Sequence, residues 1–195
     1  MADSTVLDGL RGQIAAIESG IPRRKATGDA VRNQGRQSKQ KDMSSPDDAF
    51  GKIVALANAS DKSERAIRER LEQAGFEAPA IDEAVERAKS YGFIDDLRYA
   101  AVLIRSRLSQ GKGIPGIERE LRQQGIDILD VPGWPDDFDA DREAEFDRAL
   151  AFLESRPPRS KNPRESAYRK LVAKGYSSSV ASSASREWCE RSRLL

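Results

Sequence analysis

"GIERELRQQGI" (residues 116–126) supplies a ruler for most of the chain. "AIRERLEQAGF" (66–76) and "SAYRKLVAKGY" (166–176) align with it without gaps, one fifty residues before and one fifty after. Leu71, Leu121 and Leu171 fall in register, as do Gly75, Gly125 and Gly175. Four positions before each leucine stands an apolar residue, Ile67, Ile117 or Ala167; one position after each glycine stands another, Phe76, Ile126 or Tyr176. A separation of four places two side chains on one helical face, and a glycine four residues further on takes the left-handed conformation that ends a helix. Each segment therefore reads as a short helix stopped by glycine, with an apolar residue folded back beneath it.

Upstream the same ruler aligns Ile53, Leu103 and Leu153, each preceded at four residues by Ala49, Tyr99 or Ala149, so every unit starts with a further amphipathic helix. Between the two helices lie turn-forming stretches: "NASDKSE", "QGKGIP" and "RPPRSKNPRE". Asp61 with Glu64 fits a capping box, and Asn162 with Pro163 and Glu165 fits a cap followed by a first-turn proline. A third helix is expected in "PAIDEAVERAKSYG", with Ile81, Val85 and Ala88 inward, and in "SSSVASSASREWCERS", with Val180, Ala184 and Trp188 inward. In the middle unit "DILDVPGWPDDFDADRE" holds Pro132, Gly133 and Pro135, which shorten or replace that helix, and Trp134 is placed to plug the gap. Cys189 reads as a small core residue.

The predicted fold is all-α: an elongated right-handed or curved array of three tandem three-helix repeats, the second with an irregular third helix. Its parts are repeats over 47–94, 95–140 and 141–195, preceded by a tail over 1–46. That tail is rich in Arg, Lys, Gln, Gly and Ser; it carries one weak helical stripe at Leu7, Leu10, Ile14 and Ile17, and from 22 to 46 it is expected to be disordered.

Composition narrows the chemistry. The 195 residues include no histidine, which removes the commonest general base and every Ser-His or Cys-His nucleophile pair. A single cysteine forms neither an intramolecular disulfide nor a thiolate zinc site. No catalytic residue, metal ligand or cofactor is expected. No apolar run approaches the roughly 20 residues that span a bilayer, and the first residues do not resemble a signal peptide, so a cytoplasmic protein is expected. The net charge is +1, but it is unevenly placed: nine acidic residues and one basic lie in 127–147, against nine basic and three acidic in 159–195. The basic end makes a general nucleic-acid-binding repeat an alternative reading.

In "YGFIDDLRYA" (91–100), the adjacent carboxylates Asp95 and Asp96 precede a good helix, so one of them is expected to cap it. "GKG" (111–113) lacks the spacing and ending of a phosphate loop and reads as a flexible turn between helices.

With "QGKGIPGI" and "ERELRQQGI" behind it, "YGFIDDLRYA" resembles the signature of the RecX family of bacterial recombination regulators. The residues that carry the likeness are Gly92, Phe93, Ile94, Asp95, Asp96, Tyr99, Glu120, Leu121 and Gly125. The resemblance implies tandem three-helix units and a non-enzymatic protein that binds the RecA recombinase filament and limits its ATPase and strand-exchange activity, with roles in DNA repair and recombination. The residues expected to face that partner are Arg105, Arg107, Lys112, Arg119 and Arg122, with Arg169 and Lys170 from the last unit. Weak contact with DNA and a monomeric state complete the expectation.

Overall fold

The computed structural model describes residues 42–192. The tail stripe at Leu7, Leu10, Ile14 and Ile17 lies outside the described residues, as does the expected disordered stretch up to residue 41. Among the described residues there are eight α-helices: α1 (Pro46–Ala59), α2 (Glu64–Gln73), α3 (Ala78–Ser90), α4 (Asp96–Ser109), α5 (Ile114–Gln123), α6 (Arg142–Ser155), α7 (Pro163–Ala173) and α8 (Ser178–Arg191). There is no strand among the described residues.

The Leu-Gly segments behave alike in all three places. Gly75, Gly125 and Gly175 have φ of +89°, +80° and +92°. Beyond each glycine the amide of Phe76, Ile126 or Tyr176 donates to the carbonyl of Leu71, Leu121 or Leu171 at 3.1 Å in every case. This is the closing hydrogen bond of a left-handed helix stop, and it folds the next apolar side chain under the helix. Ile67, Leu71, Ile117, Leu121, Ala167 and Leu171 are fully buried, and Phe76, Ile126 and Tyr176 nearly so.

Three separate cores result. One gathers α1 to α3 around Ile53, Leu71, Val85 and Ile94. A second gathers α4 and α5 around Ile104, Leu121 and Phe138. The third gathers α6 to α8 around Leu153, Leu171 and Trp188, with Cys189 buried in it. In the middle core the third helix is replaced by two 3-10 turns, Ile128–Asp130 and Asp136–Phe138. Trp134 lies against Phe138 with ring centroids 5.8 Å apart, so two aromatic rings help fill the space of a missing helix.

Three details differ from the expectations. Asp61 forms no capping box; Ser63 caps α2 by accepting from the Ala66 amide at 3.2 Å, and Asp61 instead lies 3.6 Å from the Arg98 guanidinium. Asn162 stands at the cap of α7 but its side chain accepts no cap hydrogen bond. Residues 42–45, within the stretch expected to be disordered, form a turn in which the Met43 carbonyl accepts from the Glu77 amide at 2.9 Å and Met43 packs on the first core.

Candidate partner-binding face and the joints beneath it

Asp95 and Asp96 separate cleanly into two roles. Asp95 caps its own helix: its Oδ1 accepts from the Arg98 amide at 2.8 Å. Asp96 reaches back to the preceding repeat, where its Oδ1 accepts from the Glu64 amide, the first of α2, at 2.7 Å. At the next joint the Glu145 carboxylate from the first turn of α6 accepts at 2.8 Å from the Ile114 amide, the first of α5 and fifty residues after that of Glu64. The amides at the start of a helix have no partner within it, and the helix dipole favours a negative charge there. Each joint between repeats is therefore made by a carboxylate of the following repeat on the second helix of the preceding one.

A second contact recurs beside it. At the first joint the Ser63 hydroxyl donates to Gln124 Oε1 at 2.6 Å. At the second joint the equivalent residues meet through backbone, Gly113 N–H donating to the Lys174 carbonyl at 3.2 Å and Gly116 N–H to the Gly175 carbonyl at 2.9 Å. Tyr176 Oη adds a bond to the Gly111 carbonyl at 3.1 Å, and burial pushes the tyrosine hydroxyl up to about 12. The "GKG" segment is thus a packed seat, in place of the flexible turn expected: a Cβ on Gly113 would stand 2.5 Å from the Tyr176 backbone.

The seven expected partner-facing cations do not form one set. Arg107 and Lys112 converge on Glu120, with contacts of 2.5 Å from Arg107 Nη2 and 2.5 Å from Lys112 Nζ. The Arg107 hydrogen bonds, helped by Lys112, hold the Glu120 carboxyl down at about 2 against the opposing effect of burial. Glu120, one of the residues carrying the family likeness, is a clamp that ties the end of α4 and the following turn to α5. Arg105 is exposed and lies over the Phe138 ring at 4.7 Å. Arg119 and Arg122 are exposed on α5 and hold no ion pair among the described residues. Arg169 pairs with Glu165, and Lys170 donates to the Arg156 carbonyl.

Elsewhere the electrostatics follow burial. Asp96 is pushed up, by its burial first, with the Glu64 amide pulling the other way. Tyr99 is likewise raised, chiefly by burial and next by the nearby Glu120 charge. No group of acidic or cysteine side chains among the described residues has the geometry of a metal site.

Glu145 and Gly116 are functional parts of the joint that the motifs did not single out. Glu145 sits in the acidic run, fifty residues from Asp95 and forty-nine from Asp96, so the ruler places it one position away from the residue whose role it takes. Gly116 is signalled by the same offset, since it stands where the first unit has Ala66.

Repeated leucine-glycine stops, three small cores and recurring carboxylate joints define a protein of tandem three-helix units. Residues 95–128 match the family model described as "RecX, second three-helix domain". Among curated relatives, a regulatory protein RecX from Syntrophotalea carbinolica is 35% identical over 80 residues, 40% of this chain and 52% of that protein. One from a Mycobacterium species is 31% identical over 114 residues, 58% of this chain and 61% of the relative. The chain spans about half the length of the first curated relatives it matches. A crystal structure of RecX from Lactobacillus salivarius superimposes with a TM-score of 0.58 at 16% identity, covering 73% of this chain and 96% of that one. A crystal structure titled as regulatory protein RecX gives 0.56 at 24% identity, covering 69% and 68%. The chain is thus similar to the RecX family, whose curated members are named regulatory proteins, over the middle repeat and part of its flanks. No helix among the described residues is long and apolar enough to cross a membrane.

Proposed function

We propose that the chain is a regulator of recombination that binds the RecA nucleoprotein filament and lowers its ATPase and strand-exchange activity. The observation that carries this reading is the match of residues 95–128 to the second three-helix domain of RecX, in the repeat that bears the exposed Arg105, Arg119 and Arg122. Those three cations form the contact face; Arg107 and Lys112 shape it from behind through Glu120. Inhibition arises where docking favours one filament state over another, since a ligand with equal affinity for all states shifts nothing.

The basic excess over 159–195 supports a general nucleic-acid binder less well than its count implies. Arg169 and Arg191 are paired with Glu165 and Glu187, and Lys170 is held by a carbonyl. The test is the single-stranded-DNA-dependent ATPase of RecA from the same source with substoichiometric protein added. Inhibition that fades in an Arg119→Glu, Arg122→Glu variant is expected; no inhibition at any ratio overturns the reading. Binding to bare single-stranded DNA that matches filament binding and falls steeply with salt favours the nucleic-acid alternative.

A further inference from the structure

Arg148 stands in the middle of α6 with one edge of its guanidinium unpartnered. Nη1 donates to the Asp139 carbonyl at 2.5 Å, whereas Nε and Nη2 are shut from water and have no hydrogen-bond partner among the described residues. Those two nitrogens form a fork matched to two oxygens of one oxyanion. Arg107 shows the same edge in use: its Nε lies 3.0 Å from both oxygens of Glu120, and its Nη2 lies 2.5 Å from one of them. An arginine cannot give up its proton to escape burial, so an unmatched fork is a standing cost to the fold. The acids nearest along the chain do not relieve it. Asp139 presents its carbonyl rather than its carboxylate, from a left-handed backbone with φ of +48°. Glu145, one turn before Arg148, gives its carboxylate to the Ile114 amide.

Arg148 also lines a groove of about 380 Å³ between the end of α4 and α6, together with Gln110, Gly111, Phe152, Ser155 and Arg156. The last three lie four, seven and eight residues after Arg148, along one face of α6. No acidic side chain lines this groove, and Arg156 is exposed and holds no ion pair among the described residues. The Lys170 and Lys174 amines add to the positive field, 5.6 and 5.3 Å from the centre of the Phe152 ring. Helix ends draw cations, since each carries about half a negative charge, and that accounts for Arg156 beside the ends of α4 and α6. It does not account for Arg148 in mid-helix, and two full positive charges outweigh the two halves.

We infer that this groove is a binding site for a phosphate dianion, either inorganic phosphate or the terminal phosphate of a nucleotide. Two of its oxygens take the Nε and Nη2 edge of Arg148 and a third takes Arg156, whereas a carboxylate, with two oxygens, is used up by the fork alone. Because the fork is covered, entry depends on the exposed side chains of the lining, Gln110 and Arg156, swinging aside, and the anion is held away from water once inside. Arg148 and Arg156 belong to the last repeat, Gln110 and Gly111 to the middle one, so the bound anion bridges the second joint and steadies it.

The test uses the full chain, labelled with nitrogen-15 and titrated with inorganic phosphate, and reads the arginine Nε–H signals and the melting temperature. The Arg148 signal is expected to move saturably, the Gly111 amide with it, and the melting temperature to rise. Arg148→Lys keeps the charge and loses the fork; Arg156→Gln leaves the fork and removes the second contact from an exposed position. Each should weaken phosphate binding at least about tenfold, and Arg156→Gln should do so without changing the melting temperature of the phosphate-free protein. A nucleoside triphosphate run alongside separates the two sources: tighter binding at the same signals makes the ligand a nucleotide, and equal or weaker binding makes it the free anion. An Arg148 signal that phosphate does not move, one moved equally by acetate or by potassium chloride at matched ionic strength, or unchanged affinity in Arg156→Gln overturns the proposal. So does tighter binding at the same signals by a single-stranded oligonucleotide without a terminal phosphate, which makes the groove part of a nucleic-acid surface. The readout contains no RecA, so it stands or falls separately from the filament reading.

Discussion

The two internal joints share one plan and differ in how closely the repeats approach. At the first, side chains do the work: Ser63 on Gln124, Asp96 on the Glu64 amide, and Asp61 near Arg98. At the second, backbone meets backbone through Gly113, Gly116 and Gly175, with Glu145 as the carboxylate. The glycine of the first joint, Gly125, has open space where a Cβ would be, whereas Gly175 has none. The second joint also has a brace that the first lacks. Glu120 with Arg107 and Lys112 ties down the turn that carries Gly113, while the first unit has Arg70, Ala57 and Lys62 at the same positions. A joint made of side chains tolerates substitution at its contacts; one made of main chain tolerates almost none.

The largest effect should therefore come from Gly113→Ala. The new methyl meets the Tyr176 main chain, which cannot swing aside, so a loss on the order of 3 kcal/mol or more is expected in urea unfolding. Ser63→Ala, at the equivalent place in the first joint, removes the α2 cap and the bond to Gln124 but adds no clash, at a cost of about 2 kcal/mol. Equal losses would break the distinction between the joints.

Glu120→Gln comes next, at about 2 kcal/mol at neutral pH after allowing for partial exposure of the cluster. The sign of its pH dependence is set by the depressed carboxyl. Its stabilisation is complete above the ordinary glutamate value of 4.5 and is lost as pH falls towards about 2. Over that window the wild type should lose stability more steeply than the variant, as read from melting temperature against pH. Parallel curves would mean that the clamp does not brace the second joint.

Glu145→Ala strips the cap from α5 and should cost about 1.5 kcal/mol, whereas Glu145→Gln keeps an acceptor oxygen and should lose less than half of that. Chemical denaturation of the pair decides whether the oxygen or the charge matters.

How much of this was legible in the sequence depends on range. The leucine-glycine stop is local: its hydrogen bond links residues five apart, so a helical period and one glycine reveal it in all three units. The missing third helix of the middle unit was equally plain, because Pro132, Gly133 and Pro135 act on their own neighbours. The joints were not, since their bonds link residues 61, 32 and 31 apart, and no periodicity within one unit encodes them. The same limit explains the cations. Their charge was visible, but that Glu120 consumes Arg107 and Lys112 follows only from how α5 folds back on α4.

Asp96 gives the smallest expected effect and the sharpest contrast with Glu120. Asp96→Ala removes the acceptor for the Glu64 amide at the first joint and should lower stability by about 1 kcal/mol. Asp96→Asn should cost almost nothing, because the amide oxygen still accepts while the partly buried charge is gone. Burial raises the carboxyl of Asp96, so the fold holds its proton more tightly than the unfolded chain does. The contribution of this group is then greatest below the ordinary aspartate range and declines as pH rises through the raised value, the reverse of Glu120. Melting curves of the wild type and Asp96→Asn should therefore converge in acid and part slightly towards neutrality, with the asparagine variant the higher. If the wild type is instead the more stable at neutral pH, the carboxylate charge at the start of α2 outweighs its desolvation, and the first joint depends on an ion.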